Sequence, residues 1–151
     1  MPEFLDLHGK TNKALRALAE EGMRRHGVHL GQNALLALLW ERDGRTPGEI
    51  AAAVNVATPT VVKMATRMTT TGLLTRRRDR TDNRLVRLWL TTAGRALQAP
   101  IEAERQRLEE KVTADLTATE RKHLMSALAK IHLAASALLR RGADPDDPAV
   151  R

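Results

Sequence analysis

The sequence predicts a mainly α-helical fold with one small β-hairpin, and three observations carry that prediction. Apolar residues recur at three- and four-residue steps over most of the 151-residue chain. The period changes once, to strict alternation, between Leu74 and Leu90. Residues of hydrophobic type make up 42% of the chain but aromatics only 2%, so the core must be aliphatic.

The first helix is expected over 4–26. Phe4, Leu7, Thr11, Ala14, Leu15, Leu18 and Gly22 form one stripe, and Gly27 is a stop signal. A short helix over 31–41 is apolar nearly all round, with Leu35, Leu36, Leu38, Leu39 and Trp40, so it is buried. Asp43-Gly44 breaks it. Thr46-Pro47-Gly48-Glu49 is a capping box with proline at the first helical position. The helix it starts runs over 47–54 and buries Ile50, Ala51 and Val54. After a tight turn at Val54-Asn55-Val56, Thr58 is read as a hydroxyl cap followed by Pro59. The next helix runs to about Thr71, with Val61, Met64, Ala65 and Met68 facing the core and Gly72 ending it.

Alternation then marks two strands. Leu74 to Arg77 is the first, Arg78 to Asn83 is a polar loop, and Arg84 to Leu90 is the second. A hairpin placed directly after two short helices and a turn is the wing of a winged helix-turn-helix. Thr91 caps a long helix over 92–116, which Pro100 should kink near Gln98 by removing an amide and crowding the preceding turn. Thr117 and Glu120 form a second capping box. In the last helix Leu124, Leu128, Ile131, Ala135, Leu138 and Leu139 follow near-heptad steps. The sequence thus divides into a helical dimerisation region at 1–30 and 95–140, a winged helix-turn-helix at 31–94, and a disordered tail at 141–151. The stripes at 4–22 and 124–139 are the reason to expect a homodimer, since a winged helix alone does not need them.

Charge is concentrated in one place. The formal net charge is +7, and residues 58–90 hold eight cations against Asp79 and Asp82, a net +6. A basic excess confined to the second short helix and the hairpin predicts a polyanionic partner, double-stranded DNA. Such a helix enters the major groove, where base edges differ. Thr58, Pro59, Thr60, Val62, Lys63, Thr66 and Arg67 lie off its core face. Thr60 can hydrogen-bond a base or phosphate, Val62 offers only apolar contact, and Lys63 can reach guanine or phosphate. Arg77, Arg78, Asn83 and Arg87 belong to the backbone-following wing, with Arg80 or Arg84 able to enter the minor groove. Asp82 is expected to hold Arg84 in place. A sequence-tolerant architectural DNA binder would share the basic wing, because phosphate contacts are blind to sequence.

Other function classes are poorly served. The chain has no cysteine, which removes disulfides, thiol redox sensing and cysteine-ligated zinc. It has no Gly-x-Ser-x-Gly, phosphate-cradling glycine loop or His-Glu-x-x-His, so no enzyme and no cofactor are expected. His26 and His29, or His123 and His132, lack a carboxylate cluster, so no metal site is expected. The first residues lack a signal-peptide pattern, and no apolar run approaches the ~18 residues of a membrane span, so a cytoplasmic protein without a membrane role is expected.

Residues Thr60-Val61-Val62-Lys63 through Arg67-Met68 to Gly72-Leu73-Leu74, then Asp82-x-Arg84-x-x-Arg87 followed by Leu90-Thr91-x-x-Gly94, resemble the MarR (multiple antibiotic resistance regulator) family. The leading helix, a buried helix opened by Leu30-x-Gln32 and two closing helices match in order, so the resemblance covers about residues 5 to 140. It implies a dimer built from the first and last helices on a palindromic operator, often a repressor released by a small ligand. Val62 stands where the family often has Ser or Thr. The resemblance also implies a cavity near the first helix and the helix of Trp40. His8, Asn12 and Arg16, at i, i+4 and i+8, form a polar stripe there. Arg16 is the candidate partner for the carboxylate of an aromatic or phenolic acid, with His8 and Asn12 as hydrogen-bonding groups and Trp40 as a wall. The plain alternative is a solvated stripe beside a core tryptophan.

Overall fold

The computed structural model describes residues 3–142. The chain forms two compact units, divided after Leu108.

The first unit holds the winged helix-turn-helix. Its elements are α1 (Glu3–Arg24), α2 (Leu30–Glu41), α3 (Pro47–Val54), α4 (Thr58–Thr70), β1 (Leu74–Arg78), β2 (Val86–Leu90), α5 (Thr92–Ala96) and most of α6 (Gln98–Val112). Leu35, Leu36 and Leu39 of α2 are buried against Ile50 and Ala51 of α3 and Val61, Ala65 and Met68 of α4. Leu74, Leu88 and Leu90 from one face of the hairpin close the cluster, together with Met23, Val28 and Ile101. Burying each large side chain contributes about 1.5–3 kcal/mol, so this aliphatic cluster suffices without aromatics.

Local chemistry sets the element ends. Thr46 Oγ1 accepts from Glu49 N at 3.2 Å, and Glu49 Oε2 accepts from Thr46 N at 3.3 Å, the reciprocal box that starts α3. Asn55, at φ 55°, ends α3 in the left-handed region that Asn tolerates better than most residues. The N-cap of α4 is Ala57, with no side-chain hydrogen bond, and Thr58 lies inside the helix. The expected hydroxyl cap at Thr58 is therefore corrected by one residue: the chain turns at Ala57, and Pro59 falls within the first turn, where its missing amide costs nothing. Gly72, at φ 82°, ends α4.

The hairpin is antiparallel, pairing Leu74 with Leu90, Thr75 with Trp89, Arg76 with Leu88, Arg77 with Arg87 and Arg78 with Val86. Arg45 adds a third short edge, where Leu88 N donates to Arg45 O at 2.9 Å. Thr91 Oγ1 accepts from Gly94 N at 3.1 Å and donates to Gly72 O at 2.6 Å, tying the end of α4 to the start of α5. Gly94 allows this approach, because a Cβ there would lie 2.3 Å from Leu73 O.

The expected single helix over 92–116 is two helices, α5 and α6, parted at Leu97. Pro100 supplies no amide to the carbonyl of Ala96, so the break falls there rather than appearing as a bend. The α1 stripe is also less buried than its period implies. Phe4, Leu7, Leu15 and Leu18 are exposed, and only Gly22 and Met23 are buried.

The second unit contains the end of α6 and α7 (Ala118–Gly142). Thr117 Oγ1 accepts from Glu120 N at 3.1 Å and Glu120 Oε2 accepts from Thr117 N at 2.8 Å, so the second capping box starts α7. Helix α7 buries none of its 25 residues. Arg141 and Gly142, expected in a disordered tail, end this helix; residues 143–151 lie outside the described residues.

Candidate nucleic-acid interface

Helix α4 presents two faces. Val61, Ala65 and Met68 are buried, whereas Thr58, Pro59, Thr60, Lys63, Thr66 and Arg67 are exposed and Val62 is half-buried. Burial of the first face fixes the helix on α3 and turns the second outward. Thr66 Oγ1 donates to Val62 O at 2.9 Å, and Thr69 and Thr70 make the same back-bond one turn below. Thr60 makes no such side-chain bond among the described residues, so its hydroxyl is available to a partner. A groove of about 280 Å³ runs beside this helix, lined by His29, Gly31 and Gln32 of the α2 start and by Thr60, Lys63, Met64 and Arg67. Glu20 holds the α2 end of the groove: its carboxylate accepts from Leu30 N at 3.0 Å and meets His29 Nδ1 at 3.1 Å. The Leu30 amide, followed by His29, keeps the Glu20 carboxyl below its ordinary value.

The wing is held by carboxylates. Asp79 Oδ2 accepts from Thr81 Oγ1 at 2.7 Å, Thr81 N at 3.2 Å and Asp82 N at 3.0 Å, folding the loop over one side chain. Its Oδ1 accepts from Arg87 Nε at 2.7 Å. The Thr81 hydroxyl and then Arg87 hold the Asp79 carboxyl well below the usual carboxylate range. Arg87 also donates through Nη1 to Gly44 O at 2.9 Å and lies 4.0 Å from Glu49. Asp82 Oδ1 accepts from both N and Nε of Arg84 at 3.1 Å, while the Arg84 side chain is 92% exposed. That side chain is fixed at its base and free at its tip. Arg78 Nη1 donates to Asn83 O at 2.7 Å, bracing the loop from the strand side.

The structure thus sets Thr58, Pro59, Thr60, Lys63, Thr66 and Arg67 on one helix surface, and Arg77, Arg78, Arg80, Asn83 and Arg84 on an exposed hairpin. Arg87 is different: it is half-buried and spends its donors on Asp79 and Gly44. Asp79 and Asp43 were not singled out in the sequence. Asp43 Oδ1 accepts from Leu90 N and Gly44 N at 3.0 Å, and Oδ2 from Arg95 at 2.9 Å. Only the Asp-Gly turn hinted at it, because its partners are distant in sequence. The proposed ligand residues are spread out. His8, Asn12 and Arg16 are exposed on α1, and the half-buried Trp40 donates its indole N–H to Gly94 O at 3.0 Å. Among the described residues no three His, Asp or Glu side chains are placed to hold a metal ion, and no helix is long and apolar enough to cross a membrane.

Residues 29–86, which span the helix-turn-helix and most of the wing, match the MarR family model. Over this segment the chain is similar to the MarR family. A curated relative from Bacillus subtilis, described as an uncharacterized HTH-type transcriptional regulator, YdgJ, is 28% identical over 105 residues, which cover 70% of this chain and 64% of that protein. The chain therefore spans just under two thirds of that relative's length. The crystal structure of apo wild-type MarR from E. coli superposes with a TM-score of 0.74 at 25% identity, covering 83% of this chain and 93% of that one. A mutant of the same E. coli protein, complexed with operator DNA, gives a TM-score of 0.74 at 25% identity and covers 83% and 91%.

Proposed function

We propose that this protein is a MarR-family transcription regulator that binds double-stranded DNA as a homodimer, reading a palindromic operator with α4 and gripping the backbone with the wing. It performs no catalysis. The observation that carries the reading is the pairing of two surfaces in one unit: the outward face of α4 with Thr60, Lys63 and Arg67, and a wing whose Arg84 is anchored by Asp82 yet exposed at its tip. Charge-assisted contacts from such arginines supply affinity, and the helix face supplies discrimination. The E. coli mutant protein of similar fold was crystallised with operator DNA, which supports the same role here. The dimer is supported by apolar faces left uncovered on α1 and, separately, on α7. Repression follows where the operator overlaps a promoter, and an aromatic or phenolic acid paired with Arg16 is the proposed release signal; among the described residues Arg16 makes no ion pair.

The test is selection of random duplex DNA by the purified protein, then a salt titration on the recovered sequence. A palindrome with half-sites about one helical turn apart, bound ~10³-fold or more above random DNA, supports the reading. Recovery of no preferred sequence, with binding that only fades with salt, overturns it in favour of a sequence-tolerant DNA binder.

A further inference from the structure

The outward face of α4 is divided into two lanes of different chemistry. Thr60, Lys63 and Arg67, at i, i+3 and i+7, form one lane, and all three line the groove beside the start of α2. Among the described residues Lys63 and Arg67 make no ion pair, so this lane keeps its donors for a partner. Pro59, Val62 and Thr66, at the same spacing, form the other lane, and Thr70 extends it by one turn. None of these four lines the groove.

The second lane carries threonines, but their hydroxyl protons are already used. Thr66 Oγ1 donates to Val62 O at 2.9 Å, and Thr70 Oγ1 donates to Thr66 O at 3.1 Å. Thr69 and Thr71, near the same end of the helix, turn their hydroxyls back on Ala65 O and Met68 O. The oxygen of a hydroxyl bonded in this way can still accept, but it has no proton left to give. The back-bond also fixes χ1 of threonine, and valine has one strongly preferred rotamer in a helix. The methyl groups of Val62, Thr66 and Thr70 are therefore held in place. Pro59 adds ring methylenes and has no amide proton. Pro59, Thr66 and Thr70 are exposed and Val62 is half-buried, so this lane shows solvent a preset aliphatic surface without a side-chain donor.

We propose that the lane of Pro59, Val62 and Thr66 selects thymine, by packing its methyl and methylene groups on the 5-methyl group that thymine projects into the major groove. The inference rests on the reading of α4 as the helix that enters that groove, and it names the base that one side of the helix takes. Guanine shows two acceptors there, and a lane without donors would cover them unpaired, at a cost. Adenine and cytosine show an amino group, which an aliphatic surface also leaves unpaired. Thymine alone shows an apolar group, and covering it removes apolar surface from water on both sides of the contact. Lys63 and Arg67, on the other lane, are left for guanine or phosphate.

The test changes the DNA and leaves the protein as it is. In the duplex recovered by selection, each thymine of one half-site is replaced in turn by uracil, which lacks only the 5-methyl group. The expected result is a loss of about fourfold in affinity at one or two positions, the effect of uncovering one methyl group, and of about fifteenfold when the symmetry-related thymine is replaced as well. Val62→Ala removes two methyl groups from the lane and Thr66→Ser removes one. At least one of these variants should bind the thymine duplex more weakly and lose the uracil effect at one position, a coupling that a merely structural role would not produce. A uracil effect that persists in full in both variants assigns the methyl contact to another side chain and overturns the proposal. A selected duplex on which no uracil substitution matters, or whose half-sites hold no thymine, also overturns it, while the operator reading stands. Selection of no sequence removes the operator reading, and the thymine lane falls with it.

Discussion

The winged unit and helix α7 are built from the same aliphatic alphabet with opposite results. Between Met23 and Ile101 the chain buries Leu35, Leu36, Leu39, Ile50, Val61, Met68, Leu74 and Leu88 to 2% exposure or less. Helix α7 has leucines at a similar density and buries none of its residues, leaving Leu124, Met125, Leu128, Ile131, Leu133, Leu138 and Leu139 exposed. The difference teaches that apolar periodicity specifies a face and not its partner. In the winged unit short loops bring α2, α3, α4 and the hairpin onto one another, so each stripe meets another stripe of the same chain. In α7 the stripe is complete but, among the described residues, nothing in its own unit buries it, which is why the proposed dimer contact is assigned there.

A charge on α7 gives the sharpest break. Leu128→Asp should raise the dimer dissociation constant by about 10³-fold or more, because a two-fold contact buries the charge twice. Sedimentation measures it, and an unchanged oligomeric state removes α7 from the contact. Leu36→Ala tests the other half: it should destabilise the fold by about 3–5 kcal/mol in chemical denaturation, whereas Leu128→Ala measured below the dissociation constant should change monomer stability little. If both cost the same in the monomer, the contrast between the two regions is wrong. Gly44→Ala comes next. It places a methyl group into the Trp89 ring at φ +73° and should cost about 1–3 kcal/mol, with Trp89 fluorescence shifting before global unfolding. Thr46→Ala removes the α3 cap and should cost about 1 kcal/mol, read as a lower melting temperature.

The smallest effect is pH-dependent. Asp79 has a folded-state pKa held below its unfolded value, so its contribution is fully present above the unfolded carboxylate value. It is lost as pH falls from there toward the folded one. Wild-type protein should therefore lose stability in acid more steeply than Asp79→Asn, and equal slopes would mean that Asp79 holds the wing no differently folded than unfolded.

The helices around the turn were legible because their signals are local. The capping box at Thr46 and Glu49, Pro59 within the first turn, and Gly72 past the last all act within four residues. The cap of α4 was misread by one position because a hydroxyl beside a proline looks the same at either place; the backbone alone chooses. The third edge at Arg45 was not legible, since a single bridge has no period. The wing was legible as a basic hairpin, and Asp82 beside Arg84 was visible as a near neighbour. Asp43 and Arg87 as parts of the frame of the wing were not, because their partners Leu90 and Arg95, and Gly44 and Glu49, come from other elements; Asp79 was not, because its bond to Arg87 depends on how the loop folds back across the hairpin.

By itself, then, the sequence determined element type, order and charge placement. Each follows from backbone periodicity, capping and composition, which act over a few residues. Tertiary structure alone decided which cations stay free and which are spent. Arg84 and Arg87 are both wing arginines three residues apart, yet one reaches solvent and the other is locked to Asp79 and Gly44. That division depends on which carboxylates and carbonyls the fold brings within about 3 Å, a distance that no sequence spacing encodes.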